Sequence, residues 1–382
     1  MGVGRRGRRM KRRANATDAK NPNNSAWVSA NAGSGKTHLL ADRVTRLLLS
    51  GADPAQILCL TYTKAAAAEM SKRLFERLGE WALLDDAKLR ANLTEIGAEE
   101  TDSDALRHAR RLFAQALETP GGLKIQTIHS FCQHILSRFP IEAKVPARFT
   151  VLDDRSASEL MRVSRDAILQ RAALHDETLE QAVAILATRA ADGRFAEIVD
   201  GAIGNTGRLR EIMEAHGNDE GRFFATLRSS LGVGPDDDEK NVLERLCTEL
   251  NGERDDLEVI AQWLLSGSSN DCRVGTHLSD FLVSISSDNF EPLRKVFLTG
   301  EGLPRKTLAT KKSAEARPEL FTKLTALAGH VMASDEKSKA AATATLTEAI
   351  VTVALRVLEE YSLRKTARAA LDYDDLIRST RL

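Results

Sequence analysis

One short stretch, SAWVSANAGSGKTHLL at residues 25–40, constrains the fold of this chain more than any other. Its first part is an apolar run, WVSA at 27–30, which predicts a buried strand. Its last part opens an amphipathic stretch at 37–49, which predicts a helix. Because a glycine-rich turn ending in Lys-Thr joins the two, the stretch predicts a phosphate-binding loop.

The residues of this loop predict a bound ATP or GTP with Mg²⁺. Glycines let the backbone amides turn inward around the β-phosphate, and the helix start adds its positive dipole end. Lys36 would reach the β- and γ-oxygens, and the Thr37 hydroxyl would bind Mg²⁺, so both are assigned catalytic roles. The first glycine of the usual pattern is replaced by Ala30. The alternative is a glycine-rich turn that binds no ligand. The predicted nucleotide-binding residues are Ala30, Asn31, Ala32, Gly33, Ser34, Gly35, Lys36, Thr37 and His38.

Periodicity along the chain predicts an α/β unit followed by a helical one. From 25 to 154, short apolar runs alternate with amphipathic stretches, and this order predicts βαβ units with a parallel sheet. From 155 to about 360, helical periodicity dominates, with loops expected between 265 and 318. Further strands are predicted at 57–63 and 124–128, and helices at 64–78, about 104–117, 130–139 and 318–369.

Composition limits the partners and the compartment. Lysine plus arginine (54) equals aspartate plus glutamate (54), so any affinity for nucleic acid must be local. The four cysteines form no CxxC pair, which argues against a zinc site or a disulfide framework. The scattered cysteines suit a reducing compartment, so a cytoplasmic protein is expected. No apolar run approaches the roughly 18 residues of a membrane helix, so no membrane partner is expected. The basic segment 1–24 predicts a disordered tail. The alternatives are an arm that touches phosphates and a translation start at Met10 or later.

Polar and aromatic residues follow two of the predicted strands at their carboxyl ends. The first set, in LTYTKAAAAEM at 60–70, can stack a base and hold phosphates of a single strand, although Tyr62 could instead belong to the core. The second set lies in QTIHSFCQHIL at 126–136, where His129 could equally be a structural histidine. The predicted DNA-binding residues are Thr61, Tyr62, Thr63, Lys64, Thr127, His129, Ser130 and Phe131.

The order AxAGSGKT, LTYTKAAAAEM, TIHSF resembles the UvrD-like helicases of superfamily one. The flanking residues are similar to the AddA type, the helicase-nuclease subunit of bacterial double-strand-break repair, particularly in its alphaproteobacterial form. FLTGEGLPRK at 297–306 and LDYDDLI at 371–377 extend the resemblance to the end of the chain.

The resemblance implies a P-loop RecA-like parallel sheet with a large, mainly α-helical insertion domain. The first RecA-like domain would be 25–154, the insertion 155–360, and the return to the RecA-like domain 361–382. The implied function is ATP-dependent 3′ to 5′ unwinding in recombinational repair, with ATP and Mg²⁺ as cofactors, single-stranded and duplex DNA ends as substrates, and an AddB-like partner subunit. Basic residues of the insertion would contact duplex phosphates, although a solvated loop is the other interpretation; they are Arg305, Lys306, Lys311 and Lys312.

Two departures from the family pattern qualify these expectations. The segment 15–25 has no glutamine to recognise adenine. Family members follow LDYDDLI with an aspartate-glutamate strand and a second RecA-like domain, whereas this sequence stops at RSTRL, so the chain alone is expected to be inactive or weakly active. Two other function classes therefore stay open. One is a non-catalytic nucleotide- or DNA-binding module completed by a partner chain, and the other is a P-loop kinase or GTPase with a helical lid.

Overall fold

The computed structural model describes residues 19–29, 35–98, 100–172, 176–189 and 195–381. The chain is mostly helical, with small parallel sheets. Its contacts divide it into two compact units: unit 1 comprises 1–154 and 368–382, and unit 2 comprises 155–367. Unit 2 therefore interrupts unit 1 in sequence.

The first part of unit 1 alternates helices with short strands. The helix α2 begins at Lys64 because Thr63 caps it, the Thr63 hydroxyl accepting a hydrogen bond from the Ala66 amide, and this cap ends the preceding strand earlier than predicted. The helices are α1 (Lys36–Leu49), α2 (Lys64–Leu83), α3 (Asp86–Glu95), α4 (Ser103–Glu118) and α5 (Ile128–Arg138), and the strands are β1 (Leu58–Thr61), β2 (Lys124–Thr127) and β3 (Thr150–Val151).

Strands β1 and β2 are parallel neighbours, paired from Leu58 opposite Lys124 to Thr61 opposite Thr127. One face of this pair packs on a core built from α1, α2, α3 and α4, in which Trp81 is among the fully buried side chains. The other face carries Leu58 and Leu60, which keep 41% and 43% of their surface exposed.

The strand predicted at 27–30 is wrong for residues 27–29. These residues belong to no strand, and the Trp27 side chain is 91% exposed. Within the described part of the chain, β1 and β2 hydrogen-bond only to each other, so the apolar run has no ladder partner. Ala30 lies outside the described residues.

The helix α3 was missed because its sequence has a weak apolar pattern. Asp85 caps it by accepting a hydrogen bond from the Lys88 amide, and only Leu89 and Leu93 of the helix are fully buried. A capping aspartate before two leucines one turn apart is the local signal that was available.

The described residues of unit 2 are mainly helical, and most of the helices pack against one long helix, α16. Between 265 and 318, where loops were expected, α13 is capped by a reciprocal pair of hydrogen bonds between Ser268 and Asp271. The helices are α6 (Asp154–Ala172), α7 (Glu177–Arg189), α8 (Phe195–Ile203), α9 (Thr206–Ala215), α10 (Glu220–Ser230), α11 (Glu239–Gly252), α12 (Arg254–Leu265), α13 (Ser269–Val283), α14 (Glu291–Phe297), α15 (Lys311–Ala316) and α16 (Pro318–Ala367).

The helix α16 is 50 residues long and carries an 18-residue window with a mean hydropathy of 1.5. By length and composition this window could cross a membrane, contrary to the expectation from the sequence. Half of the window is buried inside the fold. Leu324 and Val331 lie in one hydrophobic core of unit 2, and Val353 and Val357 lie in another. These contacts are those of a core helix.

The chain returns to unit 1 through β4 (Ala370–Leu371) and α17 (Tyr373–Thr380). Strand β4 pairs in parallel with β3, with Thr150 opposite Ala370. Asp372 caps α17 by accepting a hydrogen bond from the Asp375 amide, and Leu376 joins Cys132 and Leu136 of α5 in a small core. The return therefore brings α17 against the helix that follows β2.

Candidate nucleotide and nucleic-acid site

Of the predicted nucleotide-binding residues, the structure describes Gly35, Lys36, Thr37 and His38, whereas 30–34 lie outside the described residues. Gly35 is the N-cap of α1 and adopts a left-handed conformation, with φ 81° and ψ 17°. Glycine adopts this conformation without the steric cost of a side chain. Because helix starts leave amides without intrahelical acceptors, the first turn of α1 is suited to an anion.

The first turn of α1 is tied to its surroundings through Asp42, which lies further along the helix. Asp42 is buried, and its carboxylate lies 2.6 Å from Lys20 Nζ and 2.5 Å from Arg77 Nη1. His38 Nδ1 lies 3.6 Å from the same carboxylate. Burial opposes ionisation of Asp42, but hydrogen bonds from Lys20 and Arg77 outweigh it and hold the pKa of Asp42 below its usual range.

The segment before the phosphate loop is fastened to α1 by Arg43. Its guanidinium donates to the carbonyl oxygens of Ala19 at 2.9 Å, Asn21 at 2.8 Å and Asn24 at 2.5 Å. Ala19 is buried. Ala19, Asn21 and Asn24, which lie in the segment predicted to be a tail, therefore make defined contacts with α1.

The first predicted DNA rim follows β1. Thr61 donates a hydrogen bond to the Thr63 carbonyl at 3.0 Å, and Thr63 caps α2. Between them, the Tyr62 side chain is 85% exposed, so it does not belong to the core. Lys64, the first residue of α2, is also exposed. An exposed aromatic ring beside a cation is a geometry that can stack a base and neutralise a phosphate.

The second predicted rim follows β2. Thr127 is buried and caps α5 by accepting a hydrogen bond from the Ser130 amide at 3.1 Å, and the two hydroxyls lie 2.9 Å apart. The His129 ring stacks on the Tyr373 ring of α17, with the ring centroids 4.4 Å apart. Phe131 is half-buried. This half of the rim is therefore held by contacts inside unit 1.

The register of the sheet brings the two rims together. Thr61 is the direct partner of Thr127 across the β1–β2 pair, so α2 and α5 both begin just beyond the same edge of this sheet. Ligands of parallel sheets bind at this edge.

Several residues of this region could not be singled out from the sequence. Asp42 and Arg77 are 35 residues apart, and no local pattern connects them. Asp42 lies on the buried side of α1, but that side also carries Thr45 and Arg46, so the charge of Asp42 does not stand out in the sequence. Tyr373 stood out only as part of LDYDDLI, and its stacking on His129 depends on the return of the chain from unit 2.

The basic residues predicted to bind duplex DNA lie in unit 2. Arg305 donates to the Lys295 carbonyl oxygen at 2.9 Å, and Lys311 lies 3.8 Å from the Glu315 carboxylate. Lys306 and Lys312 are exposed. Their role as phosphate contacts stays a prediction.

Residues 11–381 match the family model of the UvrD/REP helicase N-terminal domain. The chain belongs to the UvrD/REP helicase family. Among curated proteins, the chain is similar to an ATP-dependent helicase/nuclease subunit of Lactobacillus gasseri, with 31% identity over 137 residues, 35% of this chain and 9% of that protein. The corresponding protein of Enterococcus faecalis is 34% identical over 135 residues, 35% of this chain and 9% of that protein.

The matched region of these helicase/nuclease subunits is short. The corresponding protein of Lactiplantibacillus plantarum is 31% identical over 139 residues, 36% of this chain and 10% of that protein. The chain therefore spans about a tenth of the length of the curated relatives that it matches. The expected likeness to the AddA type is confirmed, whereas its alphaproteobacterial form is not, since these relatives come from other bacteria.

Proposed function

We propose that this chain is the ATP- and single-stranded-DNA-binding part of an ATP-dependent 3′ to 5′ DNA helicase-nuclease of the AddA type, acting in double-strand-break repair and recombination. The observation that carries the proposal is the pairing of Thr61 with Thr127, because it joins two loops of helicase-like sequence into one continuous rim. Family membership and the names of the relatives support the same activity.

The described residues fit a nucleotide with Mg²⁺. The left-handed Gly35 and the first turn of α1 suit a phosphate, Lys36 is exposed beside them, and the Thr37 hydroxyl is the type of oxygen ligand that Mg²⁺ takes. Bound Mg²⁺ would neutralise charge on the phosphate oxygens. The residues of this chain would hold the phosphates and orient them.

The proposal extends to the whole protein. Unit 1 would be the first RecA-like domain and unit 2 its helical insertion, which would meet duplex DNA ends through its basic residues. An AddB-like chain would be the partner and the cytoplasm the location. The likeness to the helicase/nuclease subunits of Lactobacillus gasseri and Enterococcus faecalis supports these assignments.

Two binding titrations test the proposal. The first measures a fluorescent ADP with Mg²⁺, and the second measures the anisotropy of a labelled oligothymidylate. We expect Lys36→Met to abolish nucleotide binding and leave DNA binding intact, and Tyr62→Ala to do the reverse. Lys72→Gln, which replaces an exposed lysine on α2 that pairs with Glu76, is the matched control.

The outcomes separate the proposed function from that of a P-loop kinase or GTPase. A folded chain that binds nucleotide but no DNA would be a P-loop kinase or GTPase, and the proposal would be wrong. A chain that binds neither ligand would overturn both halves of the proposal.

A further inference from the structure

The guanidinium of Arg77 bridges α2 to the first turns of α1. Its Nη1 donates to the Asp42 carboxylate at 2.5 Å, and its Nη2 lies 3.4 Å from His38 Nδ1. Arg77 is partly buried, with 21% of its side chain exposed, whereas the Asp42 side chain is 4% exposed. One side chain of α2 thus contacts two successive turns of the helix that follows the phosphate loop.

The two contacts of Arg77 contribute differently to the stability of the fold. The contact to Asp42 joins a partly buried cation to a buried carboxylate, and losing it would leave that carboxylate paired with Lys20. The contact to His38 adds little to stability, because the His38 side chain is 62% exposed. A bridge needed only to hold two helices together would not require this second contact. Its effect is to fix a side chain that lies directly after Lys36 and Thr37.

The geometry also explains why arginine occupies this position. A planar guanidinium presents several donors in a fixed fork, so one residue can hold a carboxylate with one nitrogen and an imidazole with the other. A lysine ammonium is a single point and would keep the contact to the buried carboxylate in preference. Lys20 already supplies a second cation to Asp42 at 2.6 Å, so the charge of Asp42 does not depend on Arg77 alone.

We propose that Arg77 is a positioning residue of the nucleotide site: through Asp42 and His38 it fixes the first turn of α1, and with it the backbone and side chains of Lys36 and Thr37. This inference rests on the proposed nucleotide-binding function. In this role Arg77 acts through Asp42 and His38 and does not bind the nucleotide directly. The helix α2 begins directly after the first predicted DNA rim. Arg77 therefore lies on the helix that follows this rim.

The test compares substitutions of Arg77 in the full chain. Arg77→Lys keeps the charge and the contact to Asp42 but loses the fork, so we expect its melting temperature to stay close to that of the unsubstituted chain. Its Kd for a fluorescent ADP with Mg²⁺ should rise by about three- to tenfold. Its Kd for labelled oligothymidylate should not change. Arg77→Gln should raise the nucleotide Kd further and also lower the melting temperature.

A double-mutant cycle separates positioning from simple stabilisation. In the Arg77→Lys background, His38→Ala should add little to the nucleotide Kd, because the contact that it removes is already lost. Additive effects would mean that the two residues act independently, which would overturn positioning through His38. Lys72→Gln, on the same helix and exposed, should change neither Kd.

The results distinguish two failures. If the unsubstituted chain binds no nucleotide, the proposed function is wrong and the positioning role falls with it. If it binds nucleotide and Arg77→Lys binds equally well, only the positioning role is overturned.

Discussion

Substituting Gly35, the N-cap of α1, tests the phosphate site, and the same substitution at Gly51 is its control. Gly35 has φ +81°, and among the described residues no atom lies within 4 Å of the position that a Cβ would occupy. Alanine at Gly35 therefore causes backbone strain without a clash with those residues. Gly51, just beyond the end of the same helix, has φ +86° and is equally open among the described residues. The two glycines differ mainly in their distance from the phosphate loop.

The structure sets the expected magnitudes. A left-handed alanine costs about 1 to 2 kcal/mol, and the smaller backbone entropy of the unfolded chain offsets part of that. We expect Gly35→Ala and Gly51→Ala each to lower the free energy of unfolding by about 1 kcal/mol, which corresponds to about 2 to 4 °C in melting temperature for a unit of this size. Only Gly35→Ala should also misalign the amides at the start of α1.

Nucleotide binding then separates the two variants. One hydrogen bond to a charged phosphate contributes about 1.5 kcal/mol or more, so its loss should raise the Kd for ADP with Mg²⁺ about tenfold. Differential scanning fluorimetry measures the first effect, and a fluorescent-ADP titration measures the second. Equal nucleotide affinity in the two variants would refute the assignment of this helix start to the phosphate. A clear gain in stability in Gly35→Ala would refute the strain argument.

Substitutions at three positions elsewhere in the two units have equally defined expected outcomes. Tyr62→Ala should weaken oligothymidylate binding by about 1 to 3 kcal/mol without lowering the melting temperature, because the ring is exposed; an equal loss of stability in a melting scan would contradict this. Thr127→Ala should destabilise unit 1 by about 1 kcal/mol in chemical denaturation, since it removes the cap of α5, whereas Thr127→Ser should behave like the unsubstituted chain. In unit 2, hydrogen bonds from Arg245, from a backbone amide and from Lys337 hold the pKa of Asp237 well below its usual range. This stabilisation should be complete above about pH 4 and lost as the pH falls below it, and Asp237→Asn should flatten that acid dependence in a pH series of melting temperatures.

Periodicity predicted most elements of unit 1 because they are amphipathic over their whole length. The helices α1, α2, α4 and α5 lie where apolar residues recur at helical spacing, and these predictions are confirmed. The run at 27–30 was equally apolar, yet 27–29 form no strand. Hydrophobic periodicity indicates which residues can be buried. A strand also needs a neighbouring strand for its hydrogen bonds, and the tertiary fold determines whether one is present.

In the candidate site, too, some contacts could be predicted from the sequence and others could not. The rims at Thr61 and Thr127 could be predicted to meet, because the carboxyl ends of parallel strands share an edge of the sheet. The contact of Arg77 with Asp42 could not, because it joins residues 35 apart on two helices whose relative rotation is set by core packing. The stacking of His129 on Tyr373 is even harder to predict from local sequence, because all of unit 2 separates the two residues in sequence.

The hydrogen bonds of the rims give the hydroxyl groups of the sequence motifs a structural role. Hydroxyl groups in TYT and TIHS suggested phosphate contacts, but Thr61 donates to a carbonyl of its own loop, Thr63 caps α2, and Thr127 caps α5 while bonding to Ser130. These hydroxyls therefore shape the rim. Among the described aromatic residues of the two rims, Tyr62 has an exposed ring that can stack on a base. Recognition of single-stranded DNA would then depend on the Tyr62 ring, and the hydroxyls of the rims would fix the position of that ring.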